Sequence, residues 1–179
     1  IVISTGVVTT LAGSAGIVGS LDGTGTLARF KNPYGITSDG TNLYVSDKGN
    51  HTIRKIVIAT GVVTTLAGSG AQGFADGTGT LAQFYSPNGI TNDGANLYIT
   101  DYENHKIRKI VISTGEVTTL AGGTSSGSTD GSGTSASLNN PEGIVINGTY
   151  LYVSDTNNHT IRKIALRKTE TADVALHNL

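Results

Sequence analysis

The residues best suited to metal chemistry stand in a block that occurs three times along the chain. The block combines an aspartate, an Asn-His pair and an arginine, and its first copy holds Asp47, Asn50, His51 and Arg54. The other copies follow at intervals of 54 residues, with Asp101, His105 and Arg108 and then Asp155, His159 and Arg162. Because imidazole and carboxylate groups are common metal ligands, the blocks raise the hypothesis of a metal site.

The regular spacing of the blocks favours a structural role instead. A fixed period of this size is typical of repeat proteins, and the ligands of one metal ion must converge on one point. Histidines in successive repeats should lie one repeat apart at equal radius and would not converge. We therefore predict that Asp47 and Asn50 satisfy turn amides, and that His51 and Arg54 bond locally or to the next repeat. The same prediction applies to the other two blocks.

A second set of acids is a weaker candidate for a metal site. Asp22, Asp76 and Asp130 each open a loop of the type Asp-Gly-Thr/Ser-Gly. Calcium usually takes about six to eight oxygen ligands, several of them carboxylates, so one acid per loop favours a turn-forming role and no cofactor. No Ser-His-Asp triad is indicated either, because every histidine except His177 belongs to a repeated block.

The composition narrows the classes of partner. A net charge of −1 gives no general attraction to nucleic acid or to an anionic membrane, although Lys31, Arg54 and Lys55 could form a local basic face. No apolar run approaches the roughly 18–20 residues that cross a bilayer, so no membrane partner is expected. The absence of cysteine excludes disulfides and thiolate metal sites but identifies no compartment.

The elements that must position these residues are short strands. Each period predicts four of them, with the patterns Pro-x-Gly-Ile, Leu-Tyr-Val, Ile-Arg-Lys-Ile and Val-Thr-Thr-Leu. Glycine inside the first pattern indicates close approach of another backbone, as expected of an innermost strand near a central axis. Between these strands, Leu27 and Phe30 are spaced to form one helical turn with an apolar face. Four-stranded sheets repeated side by side predict an all-β fold of β-propeller blades, since β-solenoids normally use shorter repeats.

The repeat also predicts how the chain is divided. We expect an orphan outer strand in residues 1–13, a first blade in 14–68, a second in 69–122, a third in 123–166 that lacks its outer strand, and a tail in 167–179.

One known family matches these residues. The motif Asn50-His51, with the run 43–47 before it and Pro33-x-Gly35-Ile36 further upstream, resembles the NHL repeat, and all three copies within residues 1–166 carry it. The resemblance implies a β-propeller, often six-bladed, that mostly acts as a binding platform for proteins or RNA. It also leaves open an enzyme, since some relatives are lyases with metal-binding histidines in the central channel. This sequence departs from the family in having three copies.

Three blades are too few to form a ring, because neighbouring sheets would diverge by about 120° and could not pack face to face. The orphan first strand matches the strand that the third blade lacks. We therefore predict a homodimer, a six-bladed ring in which each chain lends its first strand to the other chain's last blade. The alternative is that the 179 residues are part of a longer chain.

Binding residues are best sought where the copies differ. Large or charged side chains at such positions are suited to a channel rim or a loop surface that contacts a partner, although neutral drift among repeats explains the differences equally well. The candidates are Tyr34, Asn88, Glu142, Lys31, Tyr85, Asn139, Lys48 and Tyr102. The preferred function is a non-enzymatic scaffold that binds a protein, a peptide or another ligand at one end of the ring. The alternatives are a lyase or lactonase-like enzyme with a channel metal and a purely structural repeat fragment.

Overall fold

The computed structural model describes residues 5–166, whose regular elements are β-strands and short 3-10 turns joined by loops. The strands are β1 (Gly23–Thr24), β2 (Pro33–Ser38), β3 (Asn42–Asp47), β4 (Thr52–Val57), β5 (Val62–Ala67), β6 (Gly77–Thr78), β7 (Pro87–Asn92), β8 (Asn96–Asp101), β9 (Lys106–Val111), β10 (Glu116–Ala121), β11 (Pro141–Asn147), β12 (Tyr150–Asp155) and β13 (Thr160–Ala165). The turns are Gly25–Leu27, Lys48–Asn50, Gly79–Leu81, Tyr102–Asn104, Gly133–Ser135 and Thr156–Asn158. The predicted tail, 167–179, and residues 1–4 lie outside the described residues.

The strands form three antiparallel sheets, which confirms the all-β prediction. The first sheet has the order β1-β5-β4-β3-β2, the second β6-β10-β9-β8-β7 and the third β11-β12-β13. Each Pro-x-Gly-Ile strand lies at one side of its sheet and is bulged after its proline, so that Pro33 faces Asp47 while Ile36 faces Val45. Residues 8–12, within the predicted orphan strand, belong to none of the three sheets.

The first two sheets have five strands where four were expected. The extra strands, β1 and β6, contribute two residues each to the outer edge. Their cause is visible at Asp22, whose carboxylate accepts hydrogen bonds from the backbone N–H of Thr65 at 3.0 Å and from its hydroxyl at 3.1 Å. This clamp holds the Asp-Gly turn against β5, so that Gly23 and Thr24 pair with its residues.

Glycine allows the sheets to meet closely. A methyl group on Gly35 of β2 would overlap the carbonyl oxygen of Asn88 in β7, and one on Gly89 would overlap the carbonyl oxygen of Glu142 in β11. The backbones of neighbouring Pro-x-Gly-Ile strands therefore lie in direct contact, as the glycine pattern predicts.

The apolar core lies between the sheets. Tyr44 and Ile53 of the first sheet pack with Leu97 of the second and with Phe84 in the loop before β7. The opposite face of the second sheet packs on the third through a separate cluster that contains Leu151. Stacked sheets with a buried layer between each pair explain why the strands are apolar on both faces.

The prediction of a helical turn with an apolar face formed by Leu27 and Phe30 is wrong. The 3-10 turn ends at Leu27, which is exposed, and the chain is extended at the next residue, Ala28. Because side chains alternate in extended chain, the inward pair is Ala28 and Phe30, and both contact the apolar cluster on the outer face of the first sheet.

No helix within residues 5–166 has the length and apolarity needed to span a bilayer.

Candidate functional site

The arginine of each repeated block lies in a buried polar network. Arg54 pairs with Asp47 at 2.8 Å and with Asp22 at 2.6 Å, and it donates to the backbone carbonyls of Arg29 and Leu21. The side chains of Arg54 and Asp47 are both fully buried. Arg108 repeats this network in the second sheet with Asp101 and Asp76, and Arg162 repeats its ion pairs in the third with Asp155 and Asp130.

The acids of the Asp-Gly turns lie in the same network. In the first two copies both carboxylate oxygens accept hydrogen bonds from protein donors, as Asp76 does from Arg108 and Thr119. No group of three or more His, Cys, Asp or Glu residues in the described part of the chain is arranged to hold a metal ion. Asp22 and Asp76 therefore link the outer strand of each sheet to the buried arginine by hydrogen bonds and an ion pair.

The histidines join one sheet to the next. His51 has a left-handed backbone conformation with a φ of 56°, and its Nδ1 accepts the backbone N–H of Ser86 at 3.1 Å. His105 accepts from Asn140 in the same way at 3.0 Å. Burial, with a smaller contribution from the charge of Lys31, lowers the pKa of His51 and so favours the neutral imidazole that this bond needs.

Every candidate binding residue lies at one end of the sheets. The innermost strands begin at this end, because the prolines of β2, β7 and β11 face the last residues of β3, β8 and β12. The candidates stand at these strand starts, in the loops that lead into them, or in the turns after β3 and β8. One surface, which we call the rim, therefore carries all of them.

Four rim residues contact one another although they are distant in sequence. The phenol of Tyr34 donates a hydrogen bond to Glu142, and this bond spans β7, which lies between their strands. The same bond raises the pKa of Tyr34. The ammonium of Lys48 lies 5.0 Å from the ring centre of Tyr34 and 5.2 Å from that of Tyr102, within cation–π range of both.

Asn88, a rim candidate, is fully buried and therefore not directly open to a partner. Its position on β7 places it between the strands that carry Tyr34 and Glu142. Within residues 5–166 neither its amide nitrogen nor its amide oxygen has a hydrogen-bond partner. An unpaired buried amide costs free energy. The hydroxyls of Ser46 and Thr52 at the same end are also buried and unpaired within residues 5–166, but Asn88 has both a donor and an acceptor in this state.

The remaining candidates are fixed through their backbones. The N–H groups of Lys31, Tyr85 and Asn139 donate to the aspartates of the three blocks at 2.7, 2.8 and 2.6 Å. The ring of Tyr85 also meets that of His51 edge to face at 5.7 Å. These three residues lie on the rim, but within residues 5–166 no hydrogen bond or cation–π contact joins their side chains to Tyr34, Lys48, Tyr102 or Glu142.

Comparison with known proteins identifies the repeat. The chain is 38% identical over 136 residues to NHL repeat-containing protein 2 of Gallus gallus, an alignment that covers 69% of this chain and 19% of that protein. It is 37% identical over 159 residues to the chloroplastic protein SUPPRESSOR OF QUENCHING 1 of Arabidopsis thaliana, covering 81% of this chain and 15% of that one. The chain belongs to the NHL-repeat family. No family model matches the sequence.

Parts of longer solved structures have a similar fold. A structural genomics protein of unknown function from Bacteroides thetaiotaomicron matches with a TM-score of 0.74 and 29% identity, over 91% of this chain and 40% of that chain. An auxiliary nutrient binding protein from Bacteroides ovatus matches with a TM-score of 0.68 and 27% identity, over 81% and 40%. This NHL chain thus spans less than half the length of each of these four proteins.

Two features of the NHL rim were not predicted from the sequence. The contact between Tyr34 and Glu142 joins residues 108 positions apart, and it depends on side chains that differ between the copies. The amide of Asn88 is unpaired because no neighbouring group within residues 5–166 forms a hydrogen bond with it. Only the shared place of these residues, after the proline of each innermost strand, was visible beforehand.

Proposed function

We propose that the chain is a non-enzymatic NHL-type scaffold that binds a peptide segment of a partner protein at the rim. The observation that carries the proposal is the buried amide of Asn88, unpaired within the described residues, on the strand that the bond between Tyr34 and Glu142 spans. A carboxamide offers an N–H donor group and a carbonyl acceptor side by side, which complements a peptide group. When the phenol of Tyr34 turns away from Glu142, a peptide backbone can pair with the amide.

The residues around Asn88 suit such a ligand. Tyr34 and Tyr102 offer rigid amphipathic rings, which bind at low cost in conformational entropy. Lys48, between the two rings, and Glu142 supply one charge of each sign. A site of this kind would contact apolar and charged side chains of a peptide while Asn88 holds its backbone.

We also propose that the three sheets are blades and that two chains form a six-bladed ring, with the first strand exchanged between them. The blade boundaries would then be those predicted above. The support comes from direct backbone contact between neighbouring innermost strands and from relatives with propeller-like structures. The rim would form one end of that ring.

The metal-enzyme alternative receives no comparable support. Its histidines would have to turn towards a common centre, but the imidazoles of His51 and His105 are each engaged with a different neighbouring backbone amide. The similar protein from Bacteroides ovatus, by contrast, is described as an auxiliary nutrient binding protein, which is consistent with a binding function for this fold.

A displayed random-peptide library tests the proposal. Peptides are selected on the immobilised wild-type chain, and their dissociation constants are then measured for three variants. Asn88→Leu removes the unpaired amide with little change of volume and should keep the fold, since replacing an unsatisfied polar group by an apolar one is close to neutral. We expect Asn88→Leu and Tyr34→Ala to weaken binding at least about tenfold.

The matched control is Tyr150→Ala. Tyr150 is also partly exposed and also contacts a lysine, Lys163, but it lies at the opposite end of its sheet. Its replacement should change affinity less than about twofold. Failure to enrich any peptide, or equal binding by wild type and Asn88→Leu, would refute the proposal.

A further inference from the structure

We propose that the open edge of β13 is the docking site for residues 7–12 of a second copy of this chain, which supplies the fourth strand of the third sheet. The inference rests on the two-chain ring proposed above and assigns the strand register and the side chains that hold it. Among the described residues, no strand pairs with β13 on the side away from β12.

The repeat itself supplies the register. In the first sheet Arg54 of β4 faces Thr65 of β5, and Ile56 faces Val63. The N-terminal segment repeats the sequence pattern of β5 at an offset of 55 residues. Strand β13 repeats the pattern of β4 at an offset of 108 residues. Transferred to the third sheet, this register pairs Val8 with Ile164, Thr9 with Lys163, Thr10 with Arg162 and Ala12 with Ile161.

Both members of the proposed pair expose apolar side chains that are buried in the other repeats. Val63 and Val117 are each 1% exposed, whereas the equivalent Val8 is 73% exposed. Ile107 is fully buried, whereas the equivalent Ile161 is 71% exposed. A groove of about 520 Å³, lined by residues of β13 and by the 130–133 turn, lies where the missing strand would run.

A polar contact is open at the same place. In the first two sheets the carboxylate of the Asp-Gly turn accepts both the N–H and the hydroxyl of a threonine in the outer strand, as Asp76 does from Thr119. The corresponding side chain in the third sheet, Asp130, is 97% exposed, and within residues 5–166 Arg162 is its hydrogen-bond donor. The threonine that the repeat assigns to Asp130 is Thr10.

The end of the N-terminal segment is already held in the position of an outer strand. The N–H of Gly13 donates to the carbonyl of Gly25 at 3.0 Å, as that of Gly68, after β5, donates to Gly79 at 3.1 Å. The side chain of Ala12 packs on the outer face of the first sheet. The end of the N-terminal segment, Ala12 and Gly13, therefore lies against the first sheet as Ala67 and Gly68 lie against the second, whereas residues 7–11 are exposed.

We assign the rest of the sheet that residues 7–12 would complete to another copy. Within one chain the second sheet separates the N-terminal segment from β13, and a ring closed by three sheets would open about 120° between faces that must pack. Within residues 5–166, the imidazole of His159 and the N–H of Asn32 have no hydrogen-bond partner. His51 and His105 each accept an amide N–H from the next sheet, and the pattern assigns to His159 the N–H of Asn32 in the second copy. Asn32 has a left-handed φ of 50°, close to the 56° of Ser86 and the 51° of Asn140.

The mass in solution and one pair of variants test the docking. Wild type should show about twice the chain mass of 18.3 kDa by light scattering. Val8→Glu should raise the dissociation constant of this dimer at least about 100-fold, because the carboxylate would enter a buried position. Val7→Glu is the matched control and should associate like wild type, since the equivalent position in the second sheet is Glu116, which is exposed.

Cysteine pairs test the register in a chain that has no cysteine of its own. After oxidation, Thr9→Cys with Lys163→Cys should give a covalent dimer on a non-reducing gel. Thr64→Cys with Lys55→Cys, the equivalent pair within the first sheet, should give an intrachain disulfide and no covalent dimer.

A wild-type monomer would overturn both the docking and the ring, whereas a dimer that the Thr9→Cys, Lys163→Cys variant fails to cross-link would overturn the docking alone. A dimer that cross-links, and that Val8→Glu dissociates, would support both. Peptide binding at the rim is measured separately, so its failure would not be confused with either outcome.

Discussion

Replacing Arg108 by methionine should destabilise the fold more than any surface substitution. The guanidinium lies 2.8 Å from the carboxylate of Asp101, and both side chains are fully buried. It also pairs with Asp76 at 2.7 Å and donates to the carbonyl oxygens of Gln83 and Ala75. Methionine fills much of the same volume but leaves a buried carboxylate without its cation.

The expected loss follows from that uncompensated charge. Breaking a buried ion pair by removing one partner costs about 3–5 kcal/mol, a large share of a typical total stability of about 5–15 kcal/mol. Burial already raises the pKa of Asp101, and Arg108 opposes that rise. Without the arginine the folded-state pKa rises further, so the variant should recover stability as the pH falls and lose it as the pH rises.

Denaturant unfolding at one protein concentration, followed by tyrosine fluorescence, measures the loss, since the chain has no tryptophan. Lys109→Met, in the same strand, removes a partly exposed positive charge and should change the free energy of unfolding by less than about 0.5 kcal/mol. Adding Asp101→Asn to Arg108→Met should restore part of the loss, because the amide keeps an acceptor for Tyr85 and removes the charge. A cost below about 1 kcal/mol for Arg108→Met, or no recovery in the double variant, would refute the reasoning.

Three further predictions concern the sheet contacts and the turns. Gly89→Ala should lower the free energy of unfolding by about 1–3 kcal/mol, because the new methyl group would overlap the carbonyl oxygen of Glu142; an unchanged denaturation midpoint would contradict this. Burial and a hydrogen bond to Asp39 raise the pKa of Tyr44 to about 12, so phenolate absorbance should show a late step that Tyr44→Phe removes. The stability tied to the neutral phenol should be full below about pH 10 and be lost as the pH rises from there through about 12. Burial alone would raise the pKa of Asp39, but hydrogen bonds, first among them that from the side chain of Asn42, outweigh it and lower the pKa. The stability advantage of wild type over Asp39→Asn should therefore be full above about pH 4 and shrink as the pH falls. A stability advantage that does not depend on pH would count against this assignment.

The repeated features of the fold could be predicted because each has a local physical cause. Glycine in the pattern Pro-x-Gly-Ile has no Cβ, and a carbonyl of the next sheet occupies the space beside Gly35 and Gly89. The β-branched residues and Asp-Gly turns placed the main strands correctly, because these residues favour extended chain and tight turns respectively.

The features that could not be predicted depend on neighbours that the local pattern does not contain. The spacing of Leu27 and Phe30 is equally compatible with a helical turn, and only the extended backbone at Ala28 decides which side chains point inward. The burial of Asn88 likewise depends on strands that carry tyrosine at one equivalent position and glutamate at the other. A repeat predicts what its copies share, whereas the rim is made of their differences.

The histidine contacts between sheets have a direction. Each reaches forward along the chain by 35 residues, from His51 to Ser86 and from His105 to Asn140. Head-to-tail contacts of this kind do not themselves limit the number of repeated units. The assembly closes only when the summed rotation from unit to unit brings the last unit back to the first. The size of such an assembly is therefore governed by an angle and not by the strength of the joint. Deleting or duplicating one 54-residue unit would change how many units are stacked while leaving the chemistry of every remaining joint as it is.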